Sequence, residues 1–301
     1  MPVPHLTGIL NLNKPVGITS RDAVNVVQKL VRPVKVGHAG TLDPLAEGVL
    51  LVCLGSATRL VPYLQQQPKT YVAGFRLGMT STTDDITGEL TPCAVPPTIS
   101  DAVLDAGLQK FLGKILQVPP QVSAVHVKGQ RAYKLARQGA TFELSAKPVE
   151  VFRLQRLSRS EQDFEVEIDC SSGTYIRAIG RDLGEMLGCG CVMTRLTRTA
   201  IGSFRRDDTQ SIEQLSRESL VHQLSPSLTA VAHFPRRQLT AAESSAIRCG
   251  QTVPLAPAIQ ADNTVSEWAL VDDDTQLIAI ASSTPDGLRL QPQIVFSGQV
   301  G

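Results

Sequence analysis

The sequence predicts an α+β protein: a mixed, mainly antiparallel central sheet with helices packed on it, followed by a small β-rich C-terminal module. Three observations carry that expectation. Strand-like segments linked to one another outnumber strand–helix–strand crossovers, which argues against a parallel doubly wound sheet. One of them, Thr70 to Leu77, alternates cleanly, with Tyr71, Ala73, Phe75 and Leu77 on one side, as a half-buried strand does. The charge balance also reverses near Phe234-Pro-Arg-Arg237. From Leu239 onward two basic residues stand against seven acidic ones, a net of −5, which leaves +6 for the preceding part of a chain whose total is +1. The expected division is therefore residues 1–235 and 236–301.

The elements run in order. Gly8 to Leu12 is a short apolar strand ending in the turn Asn13-Lys-Pro-Val-Gly17. Thr19 or Ser20 caps a helix whose Ala23, Val26, Val27 and Leu30 fall on one face. A glycine-rich loop from Gly37 to Gly48 opens into the apolar strand Val49 to Leu54. Ser100 to Leu112 reads as an amphipathic helix. Val122 to Val127 and Phe164 to Cys170 read as strands, the former meeting a Lys128-Gly129 turn. Ile176, Ile179, Leu183 and Leu187 mark a further helix that stops near Gly188 or Gly190. In the C-terminal module a short helix, Ala241 to Arg248, precedes alternating strands at Glu267 to Val271 and Gln276 to Ala281.

Composition narrows the class. An apolar fraction of 42% and a charged fraction of 19% describe a globular chain, not a disordered or fibrous one. The N-terminus has no basic start before an apolar core, and no apolar run reaches membrane-spanning length. A cytoplasmic protein with no membrane partner is expected. The six cysteines are scattered, and Cys189-Gly-Cys191 lacks the spacing that chelates zinc. Neither a disulfide framework nor a bound metal is expected.

Candidate chemistry concentrates in two segments. In Gly37-His-Ala-Gly-Thr-Leu-Asp-Pro-Leu-Ala-Glu-Gly48, glycines border Asp43, which Pro44 follows directly. A carboxylate on such a loop, anchored by an apolar strand, could be a nucleophile or a general base. Taken alone, an Asp before Pro is more often a turn former. In Ser171-Ser-Gly-Thr-Tyr-Ile-Arg177, a helix capped by Thr174 would place Arg177 in its first turn. The helix dipole disfavours a cation there by about 0.3–1 kcal/mol. A carboxylate partner would relieve the cost, and a surface arginine tolerating it is about equally consistent. Basic residues cluster at Lys128, Arg131, Lys134 and Arg137, around Tyr133, and again at Arg195, Arg198, Arg205 and Arg206. Cations interleaved with an aromatic ring suit RNA, although such runs are commonly solvated faces.

Together these segments resemble the TruB family, the tRNA pseudouridine synthases that act on the T-loop uridine at tRNA position 55. The likeness runs from about Gly8 to Phe204. It is carried by GILNLNKPVGITS, VGHAGTLDPLAEGVLLVCLGSATRL, KTYVAGFRLGMTSTTDDITG, PPQVSAVHVKGQRAYKLARQG and CSSGTYIRAIGRDLGEMLGCG, in that order. The resemblance implies Asp43 as nucleophile, Arg177 as its ion-pair partner and Tyr71 stacked on the target base. It implies Tyr175 and Leu196 as pocket walls, and His38 as a support for flipped-out T-loop nucleotides. Arg59, where many members carry lysine, is implied as a phosphate or acidic-residue partner. Lys128, Arg131, Lys134 and Arg137 fall in an inserted segment of about residues 124–148 that grips the T loop, and Arg198 is expected to contact RNA. The tail is similar to a reduced PUA module. No cofactor, metal or obligatory protein partner is implied, and a monomer acting on tRNA is expected. Two departures stand out. Thr70 replaces a common arginine, and Thr82 replaces a common aspartate, so no role is carried to Thr82 or to the nearby Asp85. A guide-RNA-dependent synthase and a non-catalytic RNA-folding chaperone remain the alternatives. The former shares the catalytic motifs, and the latter has no use for Asp43 with Arg177.

Overall fold

The computed structural model describes residues 6–93, 98–123, 126–127, 130–131, 142–255 and 267–296. Its first strands are β1 (Gly8–Lys14), β2 (Val36–Ala39), β3 (Ala46–Leu54) and β4 (Lys69–Leu77). A hairpin of β5 (Met79–Ser81) and β6 (Leu90–Pro92) comes next, then β7 (Gly113–Gln117) and the pair β8 (His126–Val127) and β9 (Gln130–Arg131). After them come β10 (Lys147–Ser160), β11 (Asp163–Cys170), β12 (Cys191–Ile201), β13 (Phe204–Arg205), β14 (Gln210–Ser211) and β15 (Leu224–Ser225).

Eleven of these strands form one sheet in the order β14–β1–β3–β12–β4–β11–β10–β7, with β2, β13 and β15 attached at the side. Only β1–β14 and β3–β12 pair in parallel, so the sheet is mixed and mainly antiparallel, as expected. The parallel β3–β12 contact sets Leu196 beside Ala46 at the mouth of the glycine-rich loop. The alternation read at residues 70–77 is that of β4, a central strand in which Tyr71, Ala73, Phe75 and Leu77 are all buried.

Two helices brace the sheet around the Asp43 loop. Helix α1 (Ser20–Val31) starts with a capping box between Thr19 and Asp22. Its buried stripe is Ser20, Ala23, Val24, Val27 and Val31, whereas Val26, expected to be inside, is 37% exposed. Ser20 is pinned to the loop at Leu42, and that turns the helix so that Val24 replaces Val26. After α2 (Val61–Gln66) and α3 (Asp101–Gln109), α4 (Ile176–Met186) lies tightly on the sheet. A Cβ on Gly180 would stand 2.5 Å from the Phe75 ring, and one on Gly184 would stand 2.2 Å from the Cys191 nitrogen. The cap of α4 is Tyr175 rather than the expected Thr174, whose hydroxyl instead donates to the Ser171 carbonyl at 3.0 Å.

Beyond α5 (Arg217–His222), the C-terminal residues form a five-stranded sheet ordered β16 (Arg236–Gln238), β18 (Trp268–Val271), β19 (Leu277–Ser283), β20 (Arg289–Val295) and β17 (Val253–Pro254), with α6 (Ala241–Arg248) packed on it. Val271, Ile280 and Phe296 share a buried cluster with Ile9, Leu51 and Leu60, so this sheet packs against the larger one through apolar side chains. No helix among the described residues is long and apolar enough to cross a membrane.

Candidate active site

Asp43 sits on a loop held at several points. The Ser20 hydroxyl accepts from the Leu42 amide at 2.8 Å and donates to the Leu42 carbonyl at 3.1 Å. On the other side of Asp43, the Gly17 amide donates to the Pro44 carbonyl at 2.8 Å, and the Ala46 amide closes the turn onto the Asp43 carbonyl at 3.0 Å. Leu42 and Ala46 are buried on either side. Gly48 has a φ of 100°, and a Cβ there would lie 2.3 Å from the Arg198 carbonyl. Only glycine lets the loop rejoin the sheet so close to β12.

The Arg177 guanidinium meets this carboxylate, with Nη2 2.9 Å from Asp43 Oδ2. The arginine side chain is 6% exposed, the aspartate 40%. The guanidinium thus holds the carboxylate in place while leaving it open to substrate. Arg177 is itself braced: Nη1 donates to the Thr83 carbonyl and Nη2 to the Val122 carbonyl, both at 3.1 Å. A second carboxylate, Asp85, stands 3.6 Å from Nη1 and is 3% exposed. Its Oδ1 accepts from the Thr83 hydroxyl at 2.8 Å and from the Thr87 amide and hydroxyl at 2.9 and 2.5 Å, which leaves Oδ2 facing the arginine. Thr82, in the same hairpin, accepts from the Glu89 amide at 3.0 Å and serves the turn.

A cleft of about 530 Å³ opens over the pair. Asp43, Tyr71, Tyr175, Arg177 and Leu196, separated by more than 150 positions in sequence, all line it. Burial pushes the Tyr71 phenol above its ordinary range, opposed by the nearby Arg198 guanidinium. Burial also raises Tyr175, opposed by Ser123 and Arg177. Both rings are therefore neutral walls. Two lysines were not anticipated. Lys69 lines the cleft and donates to the carbonyls of Gln65 and Gln67 at 2.5 and 2.6 Å. Lys14 donates to those of Pro15 and Ile18, both at 2.8 Å. Burial lowers each ammonium to about 8, opposed at Lys14 by the Asp43 carboxylate. Lys69 was legible in principle, since extending the β4 alternation back from Tyr71 by two residues reaches it.

Other expected residues are placed differently. Arg198 is not a surface phosphate contact. It is 1% exposed and donates to the carbonyls of Val49 at 2.8 Å and Gly40 at 3.1 Å, tying β12 to the Asp43 loop. Its neighbours Arg195 and Arg206 pair with Glu165 and Glu47. Arg198→Met should destabilise the fold by roughly 3 kcal/mol, because the buried Val49 carbonyl and the half-buried Gly40 carbonyl each lose a donor worth about 1–3 kcal/mol. Urea denaturation reads this. An unchanged denaturant midpoint would contradict this role. Arg59, unlike Arg198, does not line the cleft. Its Nη1 donates to the Val295 carbonyl on β20 at 2.5 Å, because the turn after β3 faces the C-terminal sheet. His38 lies on β2, half-buried and outside the cleft wall, with Nδ1 unpartnered among the described residues. Burial, then Arg21 and Arg198, push its pKa down. Lys128, Lys134 and Arg137 lie outside the described residues, and of Arg131 only the backbone is described.

The large mixed sheet, with an ion-paired aspartate below a cleft walled by aromatic and aliphatic side chains, matches the fold of solved pseudouridine synthases. A protein in an H/ACA ribonucleoprotein bound to a substrate RNA containing 2′-deoxyuridine matches 98% of this chain and 87% of its own, with a TM-score of 0.74 and 23% identity. Another, from a Cbf5–Nop10–Gar1 complex, covers 99% and 88%, with a TM-score of 0.75 and 25% identity. The model of the TruB family pseudouridylate synthase N-terminal domain matches residues 28–176, and that of the tRNA pseudouridylate synthase B C-terminal domain matches residues 177–235. Among curated relatives, the tRNA pseudouridine synthase B of Mycobacterium tuberculosis is 41% identical over 97% of this chain and 98% of its own length. That of Prochlorococcus marinus is 37% identical over 99% and 100%. The chain belongs to the TruB family.

Proposed function

We propose that this chain converts the T-loop uridine of tRNA to pseudouridine, with Asp43 as the nucleophile and without a cofactor. The observation that carries the reading is the 2.9 Å contact between Asp43 and Arg177 at the base of a cleft walled by Tyr71 and Leu196. Relatives named tRNA pseudouridine synthase B, similar over nearly the whole chain, support tRNA as the substrate.

The reaction breaks the bond between uracil N1 and ribose C1′, turns the base, and joins C5 to C1′. The C5 hydrogen leaves as a proton. Nothing is oxidised and no group is gained, so a carboxylate and a pocket that retains the free base suffice. Asp43, held by Arg177, supplies the electron pair, whether at C1′, at C6 or by deprotonating C2′. Tyr71, kept neutral by burial, serves as a stacking surface rather than a phenolate base, and Leu196 adds an apolar wall. A uridine inside a folded T loop must first be flipped out, at a cost of a few kcal/mol. Backbone contacts from Lys128, Arg131, Lys134 and Arg137 are proposed to offset it.

A glycosidase-like reading fares worse, because it needs a second carboxylate able to protonate the leaving group. Asp85 is buried, with one oxygen saturated and the other turned to Arg177. Glu47 is engaged by Arg206 at 2.8 Å.

Unmodified tRNA carrying tritium at uridine C5 tests the reading, since every route to the new bond expels that hydrogen. The pure chain, with neither guide RNA nor partner protein, should release one tritium per T-loop target uridine. No release, or release only when guide RNA and partners are added, would overturn it.

A further inference from the structure

Strand β7 ends at Gln117, and the residues after it run beside the start of α4. Gln117 Nε2 donates to the Tyr175 carbonyl at 3.1 Å, and the Tyr175 amide donates back to Gln117 Oε1 at 2.8 Å. Further along, Arg181 Nη2 donates to the Val118 carbonyl at 2.8 Å, and Arg177 Nη2 to the Val122 carbonyl at 3.1 Å. Gln117 is 2% exposed, so both of its bonds are shielded from water.

Helix α4 needs such outside support. Tyr175 is its N-cap yet offers no side-chain acceptor to the first amides, and the first turn holds no acidic residue. Arg177 adds a cation where the helix dipole disfavours one. The turn that must place both the Tyr175 ring and the Arg177 guanidinium is thus poorly fixed by its own sequence. A primary amide carries a donor and an acceptor side by side. Gln117 therefore pairs with a single residue's N–H and C=O as a neighbouring strand would.

We infer that Gln117 is a positioning residue for the isomerisation, holding Tyr175 and through it the first turn of α4, so that Arg177 stays in register with Asp43. This rests on the function proposed above. Gln117 touches neither the carboxylate nor the cleft. Its contribution is to geometry at the reacting centre, where a displacement of about 1 Å can cost on the order of 100-fold in rate.

Two variants test it in single-turnover tritium release. Gln117→Met keeps the length and loses both bonds. Its rate at saturating enzyme should fall roughly 10- to 100-fold, with tRNA affinity unchanged and the folded fraction at the assay temperature still complete by circular dichroism. Gln117→Glu presents the same donor–acceptor pair only when its carboxyl is protonated. Its rate relative to the wild-type chain should therefore climb as pH falls, while the relative rate of Gln117→Met stays flat. If Gln117→Met does not fold, the pH trend of Gln117→Glu decides alone. A wild-type rate in Gln117→Met, a loss that merely follows its folded fraction, or a Gln117→Glu ratio flat with pH would overturn the inference. Asp43→Asn in the same assay separates the two levels. An active wild-type chain, an inert Asp43→Asn and a fully active Gln117→Met sink the positioning role alone. An inert wild-type chain sinks the functional reading and this inference with it.

Discussion

Asp43→Asn is expected to lower the rate of tritium release by at least about 10⁴-fold, the scale of removing a nucleophile, while the protein stays folded and still binds tRNA. The amide keeps the shape of the carboxylate but loses its charge and trades one acceptor oxygen for a weakly nucleophilic NH2 donor. Arg177 retains Asp85 and the carbonyls of Thr83 and Val122. Because Asp43 is 40% exposed, the lost pair should cost the fold no more than about 1 kcal/mol. Unfolding curves and single-turnover rates, measured on one preparation, separate these effects. A variant that releases tritium at a tenth of the wild-type rate would contradict the nucleophile assignment.

Arg177→Met should show the opposite division, losing stability as well as rate. The side chain contacts Asp43, Asp85 and two backbone carbonyls while almost fully buried. Without it Asp85, 3% exposed, keeps its hydroxyl and amide donors but no cation. Removing one partner of a buried pair costs roughly 3–5 kcal/mol, to be read as a lower denaturant midpoint. The rate among folded molecules should fall about 10²- to 10³-fold, as when a preorganised charge is withdrawn from a reacting centre. Arg177→Lys restores charge but not the forked reach to two carboxylates, so it should recover stability only in part. A folded Arg177→Met chain with wild-type rate would mean that Asp43 needs no counter-charge.

How far these features were legible depends on how local they are. The β4 alternation and the glycine-bordered Asp43 loop can be read directly, since burial of one strand face and tight turns leave marks within a few residues. The pairing of Asp43 with Arg177 left a weaker trace, a cation misplaced against the helix dipole. The long strand β10 was missed because register shifts between Val151 and Arg153 and between Arg156 and Ser158 reset its alternation. Strand β12 is broken in the same way between Met193 and Arg195 and between Arg198 and Ala200. That irregularity hides Arg198 inside the protein, although its sequence neighbourhood reads as a basic surface. Asp85 and Gln117 gave no local sign, since what distinguishes them is the partner that folding delivers from 92 or 58 positions away.

The central claim is that this single chain isomerises one uridine in the T loop of tRNA. Carbodiimide adducts that survive alkali and stop reverse transcriptase locate pseudouridine at single-nucleotide resolution. An unmodified tRNA transcript incubated with the pure protein should acquire one new stop, in the T loop. A transcript left without any stop, or stopped in another arm, would contradict the account.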